Sequence, residues 1–149
     1  MNLGRVLIVT KRTVYEMYTV DRNDPQFTKL VAQGDSLVRR VLASHEEHHR
    51  TLEAVHKAIK ERGAAVDRID RGTAFDEHRY DLVVVVGGDG TFISAARHVR
   101  ALPILGVNSD PRHSVGFFCG ATRATTDRML ARFQRDVLPF VPDPLEVRL

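Results

Sequence analysis

Cysteine is almost absent: Cys119 stands alone among 149 residues. One thiol cannot build an intramolecular disulfide framework and suits a reducing compartment, where it acts as a small buried hydrophobe. An export signal is missing as well. The apolar run from Val6 to Val9 is too short and wrongly flanked for a signal peptide or a membrane span, so the expected location is cytoplasmic and no membrane partner is expected. Low-complexity tracts are lacking, and 43% hydrophobic with 28% charged residues describes a globular chain, not a disordered one. Nor do the basic residues cluster. Net charge is +3 and the pI about 9.3, which favours anionic partners such as phosphorylated small molecules. Scattered Lys and Arg with no aromatic-flanked cluster argue against nucleic acid. A chain of this length fits one domain, burying about two-thirds of its unfolded surface, and leaves no room for a second full domain.

What is present alternates between strand and helix patterns. Residues 5–10 (RVLIVT) form a short β-branched run, as expected of a strand covered on both faces. Residues 11–34 show no sustained periodicity and read as a long loop holding a short helix. From 35 to 62, Leu37, Val41, Leu52, Val55 and Ile59 recur at helical spacing ahead of Gly63, giving one long helix or two. Residues 65–69 alternate like a strand with one exposed side. Residues 82–86 (LVVVV) are the plainest buried strand, followed by a glycine turn, a helix over 91–100 and another buried strand over 103–107. Thr126-Asp127 caps a helix carrying Met129, Leu130, Phe133 and Val137, with Pro139 just beyond it. This order predicts an α/β fold with an open, mostly parallel, Rossmann-like sheet, flanking helices and ligands at the carboxyl ends of the strands. Pro142-Asp143-Pro144 resembles a linker and residues 145–149 alternate like a new strand. The expected division is therefore a nucleotide-binding domain over 1–141, then a linker and the first strand of a further domain over 142–149.

His45, His48 and His49 fall within the long helix, and His45 with His49 has the i, i+4 spacing of a metal pair on one face. With Glu46 the string also fits the HExxH pattern of zinc peptidases. Such sites need a third ligand and a substrate cleft, and nothing downstream supplies a partner at motif spacing. The expectation is a mostly solvated, partly packed histidine cluster, with no metal ligands assigned.

Gly87-Gly88-Asp89-Gly90-Thr91 joins the plainest strand to a helix, where doubly wound folds bind phosphate. Three glycines are expected to permit positive φ and close approach, so that amide groups and the helix N-terminus face phosphate oxygens. Asp89 does not fit that scheme. A carboxylate beside a phosphate repels it unless it handles a proton or a metal ion, which points to catalysis. The other reading is a tight turn with a helix-capping aspartate.

VVVVGGDGTF, from Val83 to Phe92, resembles the signature of the NAD kinase superfamily. Diacylglycerol, sphingosine and 6-phosphofructokinases share related glycine-aspartate turns, but the next segment discriminates. ILGVNSDPRHSVGFFC, from Ile104 to Cys119, is similar to the second NAD kinase segment, and its NSDP followed by SVGFFC looks like the mitochondrial-type branch. Residues 9–13, Tyr15-Glu16 and His48-His49 look like that branch too. The resemblance implies an ATP-dependent phosphotransferase making NADP from NAD, with Mg²⁺ as cofactor and Asp89 as base on the adenosine ribose 2′-hydroxyl. It implies that Gly87, Gly88, Gly90 and Thr91 face nucleotide phosphates, that Phe117 lines the adenine pocket and that Asn108 orients the loop between strand and substrate. Lys11 is expected to reach a phosphate. The family's second, all-β domain, which the resemblance implies would supply much of the NAD site, is expected to lie outside these 149 residues. The fragment is therefore expected to be inactive alone, and a homo-oligomer when complete. The alternative is a non-catalytic nucleotide-binding module or half of a split enzyme.

Overall fold

The computed structural model describes residues 2–135. Five strands, β1 (Arg5–Thr10), β2 (Ala65–Asp70), β3 (Leu82–Gly87), β4 (Ile104–Asn108) and the short β5 (Ala121–Thr122), form one sheet in the order β2-β1-β3-β4-β5. Every pairing is parallel. The helices are α1 (Val14–Glu16), which runs into a π-helical turn over Met17–Asp21, then α2 (Pro25–Ala32), α3 (Ser36–Glu61), α4 (Asp89–Ala96) and α5 (Thr126–Arg135). The α/β class read from the sequence is the one observed.

The two-residue period of the strands sorts their side chains onto two covered faces. Val6, Ile8, Val84, Val86 and Val107 pack with Leu52, Val55 and Ile59 of α3 and Leu130 of α5. Leu7, Val9, Val83 and Val85 pack on the other side with Ala95 of α4, Phe75 and Tyr80. Both faces of the middle strands are therefore dry, which is why β1 and β3 read as unbroken apolar runs. Each fully buried valine or leucine contributes about 1.5–3 kcal/mol, so this double cover is the main support of the fold.

Several elements differ from their sequence reading. The 11–34 stretch contains α1, the π-helical turn and α2 rather than a long loop holding one short helix. The Asp24 carboxylate accepts from the amides of Gln26 and Phe27, at 2.9 and 3.2 Å, and Pro25 opens α2; both are helix-start devices. α3 is a single helix, capped by Asp35 and followed by Gly63 at φ +80°. α4 spans Asp89–Ala96 instead of 91–100, and β5 had no counterpart in the sequence reading. Val137, Pro139, the linker at 142–144 and the strand at 145–149 lie outside the described residues.

The chain leaves β1 for β2 through α3 on one face and leaves β3 for β4 through α4 on the other. The strand order thus reverses between β1 and β3, and their carboxyl ends flank the crevice where open α/β sheets place ligands.

Candidate functional site

β3 ends at Gly87 and α4 begins at Asp89. Gly88 is the N-cap residue, with φ −117°, ψ −163° and no side chain to satisfy the first-turn amides. An uncapped helix start offers N–H groups and a partial positive charge to an anion. Positive φ is not how the turn is made. None of Gly87, Gly88 and Gly90 adopts it, because the chain passes from extended strand straight into helix. The glycine at 87 is required for room: a Cβ there would lie 2.7 Å from Thr91 Oγ1. Thr91 itself is 1% exposed and its hydroxyl has no hydrogen-bond partner among the described residues. Its side chain therefore sits beneath the turn, while Gly90 is exposed.

Asp89 has two backbone partners that no local pattern foretells. Its Oδ2 accepts from the Phe117 amide at 3.0 Å and its Oδ1 from the Phe118 amide at 2.9 Å, which fastens the loop after β4 onto the glycine turn. A carboxylate offers about four lone-pair positions, so each oxygen retains capacity for another bond. Asn108, 5% exposed, braces the same loop from within. Its Nδ2 donates to the Ser114 carbonyl and its Oδ1 accepts from the Asp110 amide, both at 3.0 Å. Gly116 lies against it at φ +60°, where a Cβ would come within 2.4 Å of Asn108 Nδ2. The result presents Phe117 at 80% exposure beside Asp89, so this ring is not core, while Phe118 stacks on Phe92 with ring centres 5.7 Å apart. Burial, and then the Asp89 charge, pushes the Cys119 thiol up, which leaves it protonated and inert.

Lys11 stands across the crevice, just past β1. It lines a cleft of about 330 Å³ with Arg40, Ser44, His48, Ser109 and His113, and Asp89 is not among the lining residues. The sequence-derived residues therefore divide: the glycine turn, Asn108 and Phe117 form one group, and Lys11 faces a neighbouring hollow. Sequence reasoning missed His48 as a member of this hollow. It is 1% exposed, with Nε2 2.9 Å from Thr10 Oγ1 and Nδ1 2.7 Å from Ser109 Oγ, so it ties the end of β1 to the end of β4. Burial first, then the Lys11 charge, pushes its pKa down to about 4, which makes the imidazole neutral at pH 7.

Beside it, Glu16, His45 and His49 converge, with one donor atom from each within 4.8 Å of the others. Burial raises the Glu16 carboxyl, but the hydrogen bond and charge of His49, with Arg12, outweigh it and hold the group below its usual range. His45 is pushed down by burial and then by His49. The expected solvated cluster is therefore packed at His48 and at His45, whose side chain is 21% exposed, while His49 stays 43% exposed.

The family described as ATP-NAD kinase N-terminal domain matches residues 6–136. NAD kinase 2, mitochondrial, of Mus musculus is 32% identical over 144 residues, covering 89% of this chain and 32% of the mouse protein. Its Homo sapiens counterpart is 31% identical over 132 residues, covering 82% and 30%. The NAD kinase of Neisseria gonorrhoeae is 49% identical over 53 residues, covering 34% and 17%. This chain spans about a third of the length of the mammalian relatives it matches. Their mitochondrial names overturn the cytoplasmic expectation, which rested only on a lone thiol and an unremarkable N-terminus. The family match runs from β1 through α5 and takes in the glycine turn, so the chain belongs to the ATP-NAD kinase N-terminal domain family.

Proposed function

We propose that this chain is the nucleotide-binding part of an ATP-dependent NAD kinase that phosphorylates the adenosine ribose 2′-hydroxyl of NAD to give NADP, and that it does not catalyse alone. The observation that carries the reading is the side-chain-free start of α4 with Asp89 at its first position, an anion site and a carboxylate held together. The hydroxyl oxygen attacks the γ-phosphorus of ATP and a new O–P bond forms. The bond from that phosphorus to the β,γ-bridging oxygen breaks, ADP leaves with the electron pair, and Asp89 takes the hydroxyl proton. The Gly88–Gly90 amides face phosphate oxygens, Phe117 lies against adenine, Asn108 orients the loop and Lys11 reaches a phosphate from the neighbouring cleft. Thr91 supports the turn from below. For Mg²⁺ the fit is poor: among the described residues Asp89 belongs to no group of three or more ligating side chains, so this half offers the ion no all-protein cage. In the complete protein, copies of the chain assemble with one another.

The test is NADP formation from NAD, ATP and Mg²⁺ by the full-length gene product and its Asp89→Asn variant. Loss of a base lowers the rate by about 10²–10⁴; a variant as fast as the parent excludes Asp89 from proton transfer. Asparagine also turns an amide toward one of the loop N–H groups, so amide exchange at Phe117 and Phe118 is measured alongside. A rate loss with those amides still protected assigns the effect to the base. The engagement of Asp89 by two amides favours a second reading, a nucleotide-binding module without catalysis. A full-length product that binds ATP and makes no NADP supports that reading instead.

A further inference from the structure

We infer that Glu16, His45 and His49 form a transition-metal site, best matched to Zn²⁺, that fastens the segment following β1 onto α3. His45 and His49 lie one turn apart on α3, and Glu16 reaches them from α1. Glu16 Oε1 is 2.5 Å from His49 Nε2 and 3.5 Å from His45 Nδ1. Bonds of about 2.0–2.1 Å on tetrahedral zinc place donors about 3.3 Å apart, between those two separations, and all three donor atoms lie within 4.8 Å of one another. Glu16 and His45 are sheltered, with side chains 12% and 21% exposed. Thr13 Oγ1 lies 2.7 Å from His45 Nδ1, a hydrogen bond that must give way when that nitrogen takes the ion, and Arg12 holds the other Glu16 oxygen at 2.9 Å. Arg12 is also paired with Asp21, so the two carboxylates and one guanidinium leave a net negative charge to receive a cation.

The donor set selects the ion. Two imidazole nitrogens and one carboxylate suit Zn²⁺, whereas Mg²⁺ and Ca²⁺ seek all-oxygen shells. The arrangement is not that of an HExxH peptidase, because the carboxylate that joins the rings is Glu16 and Glu46 is exposed. A structural reason for a metal is also present: no residue of α1, the π-helical turn or α2 is buried. These helices therefore meet α3 without a buried side chain of their own, and their contacts include Tyr15 against His45 at 4.7 Å between ring centres and the polar trio. Thr13 and Val14 line the cleft that holds Lys11, so fastening the segment also fixes one wall of that cleft.

The tag-free full chain, stripped with chelator, is titrated with Zn²⁺ against a chromophoric competitor, and with Co²⁺ for its visible bands. The expected result is one ion per chain, tetrahedral Co²⁺ bands and slowed amide exchange over residues 14–21. Removing even an outer hydrogen-bond partner of a metal ligand weakens binding 10–100-fold, so Glu16→Gln and His49→Ala should each weaken it by at least about 100-fold. His78→Ala and Cys119→Ser leave it unchanged. Circular dichroism confirms that each variant is folded, and the Co²⁺ spectrum of the parent reports the site without any substitution. No bound zinc at about 100 µM free metal, parental affinity in both ligand variants, or binding that leaves exchange over 14–21 unaltered would overturn the proposal.

Discussion

Gly116 shows how tightly the loop beside Asp89 is specified by single residues. Its left-handed φ and its contact with Asn108 mean that Gly116→Ala meets two penalties, about 1–2 kcal/mol for the backbone and a further steric cost. Chemical denaturation should show a loss of at least about 2 kcal/mol, with faster amide exchange at Phe117 and Phe118. Thr91 makes the opposite case. Its hydroxyl is buried without a partner among the described residues, so Thr91→Val should gain up to about 1 kcal/mol; an accompanying drop in ATP affinity would mean that the hydroxyl serves a ligand after all. Phe117 separates stability from binding most cleanly. At 80% exposure, Phe117→Ala should change stability by less than about 0.5 kcal/mol. It should weaken adenine-nucleotide binding in the full-length product about 10-fold, the scale of a lost base stack. Asp89 shows where reading from sequence stops. Its type and position in the turn were legible, but its amide partners lie 28 and 29 residues on, and no local pattern encodes such a pairing.

Among the elements, legibility followed burial. α3 and β3 announced themselves because one or both faces meet the core, and burial is what creates a 3.6- or 2-residue period. No residue of α1, the π-helical turn or α2 is buried and none of the three exceeds eight residues, shorter than the stretch over which a helical period can be read; the Asp24-Pro25 helix start stood in the sequence but was read as part of the loop. Glu77 organises another aperiodic piece, the turn between α4 and β4. Its Oε2 accepts from the amides of Arg100, Ala101 and Leu102 at 3.0 to 3.2 Å. Those bonds, that from Arg100 first, hold the carboxyl below its ordinary value of 4.5. As pH drops below that value the unfolded chain takes up the proton before the folded one does, so stability falls. Above it the contribution is complete. Glu77→Ala should therefore lower Tm by about 3–5 °C at pH 7, and this difference should shrink as melts are repeated at lower pH below about 4.5. A gap that stays constant down to full protonation would show that the carboxylate charge plays no part.

At the scale of the whole molecule, the doubly covered sheet made the fold class readable, since only a parallel sheet between helices demands so many continuous apolar strands. The two-residue β5 was too short to leave such a mark. What lies on the outside of this sheet decides the remaining question. Ile93, one turn along α4 from Asp89, is 44% exposed, and Val115, Phe117 and Phe118 of the loop are 89%, 80% and 48% exposed. Large apolar side chains gathered beside a candidate catalytic carboxylate mark a surface that functions covered, and the mammalian relatives extend to about three times the matched length. The 149-residue chain should therefore form no NADP from NAD, ATP and Mg²⁺ while the full-length gene product does. The chain alone should also bind a hydrophobic dye that Phe117→Ala and Val115→Ser reduce. NADP production by the chain alone would show that the carboxylate, the amides and Lys11 suffice, and that the apolar rim has some other use.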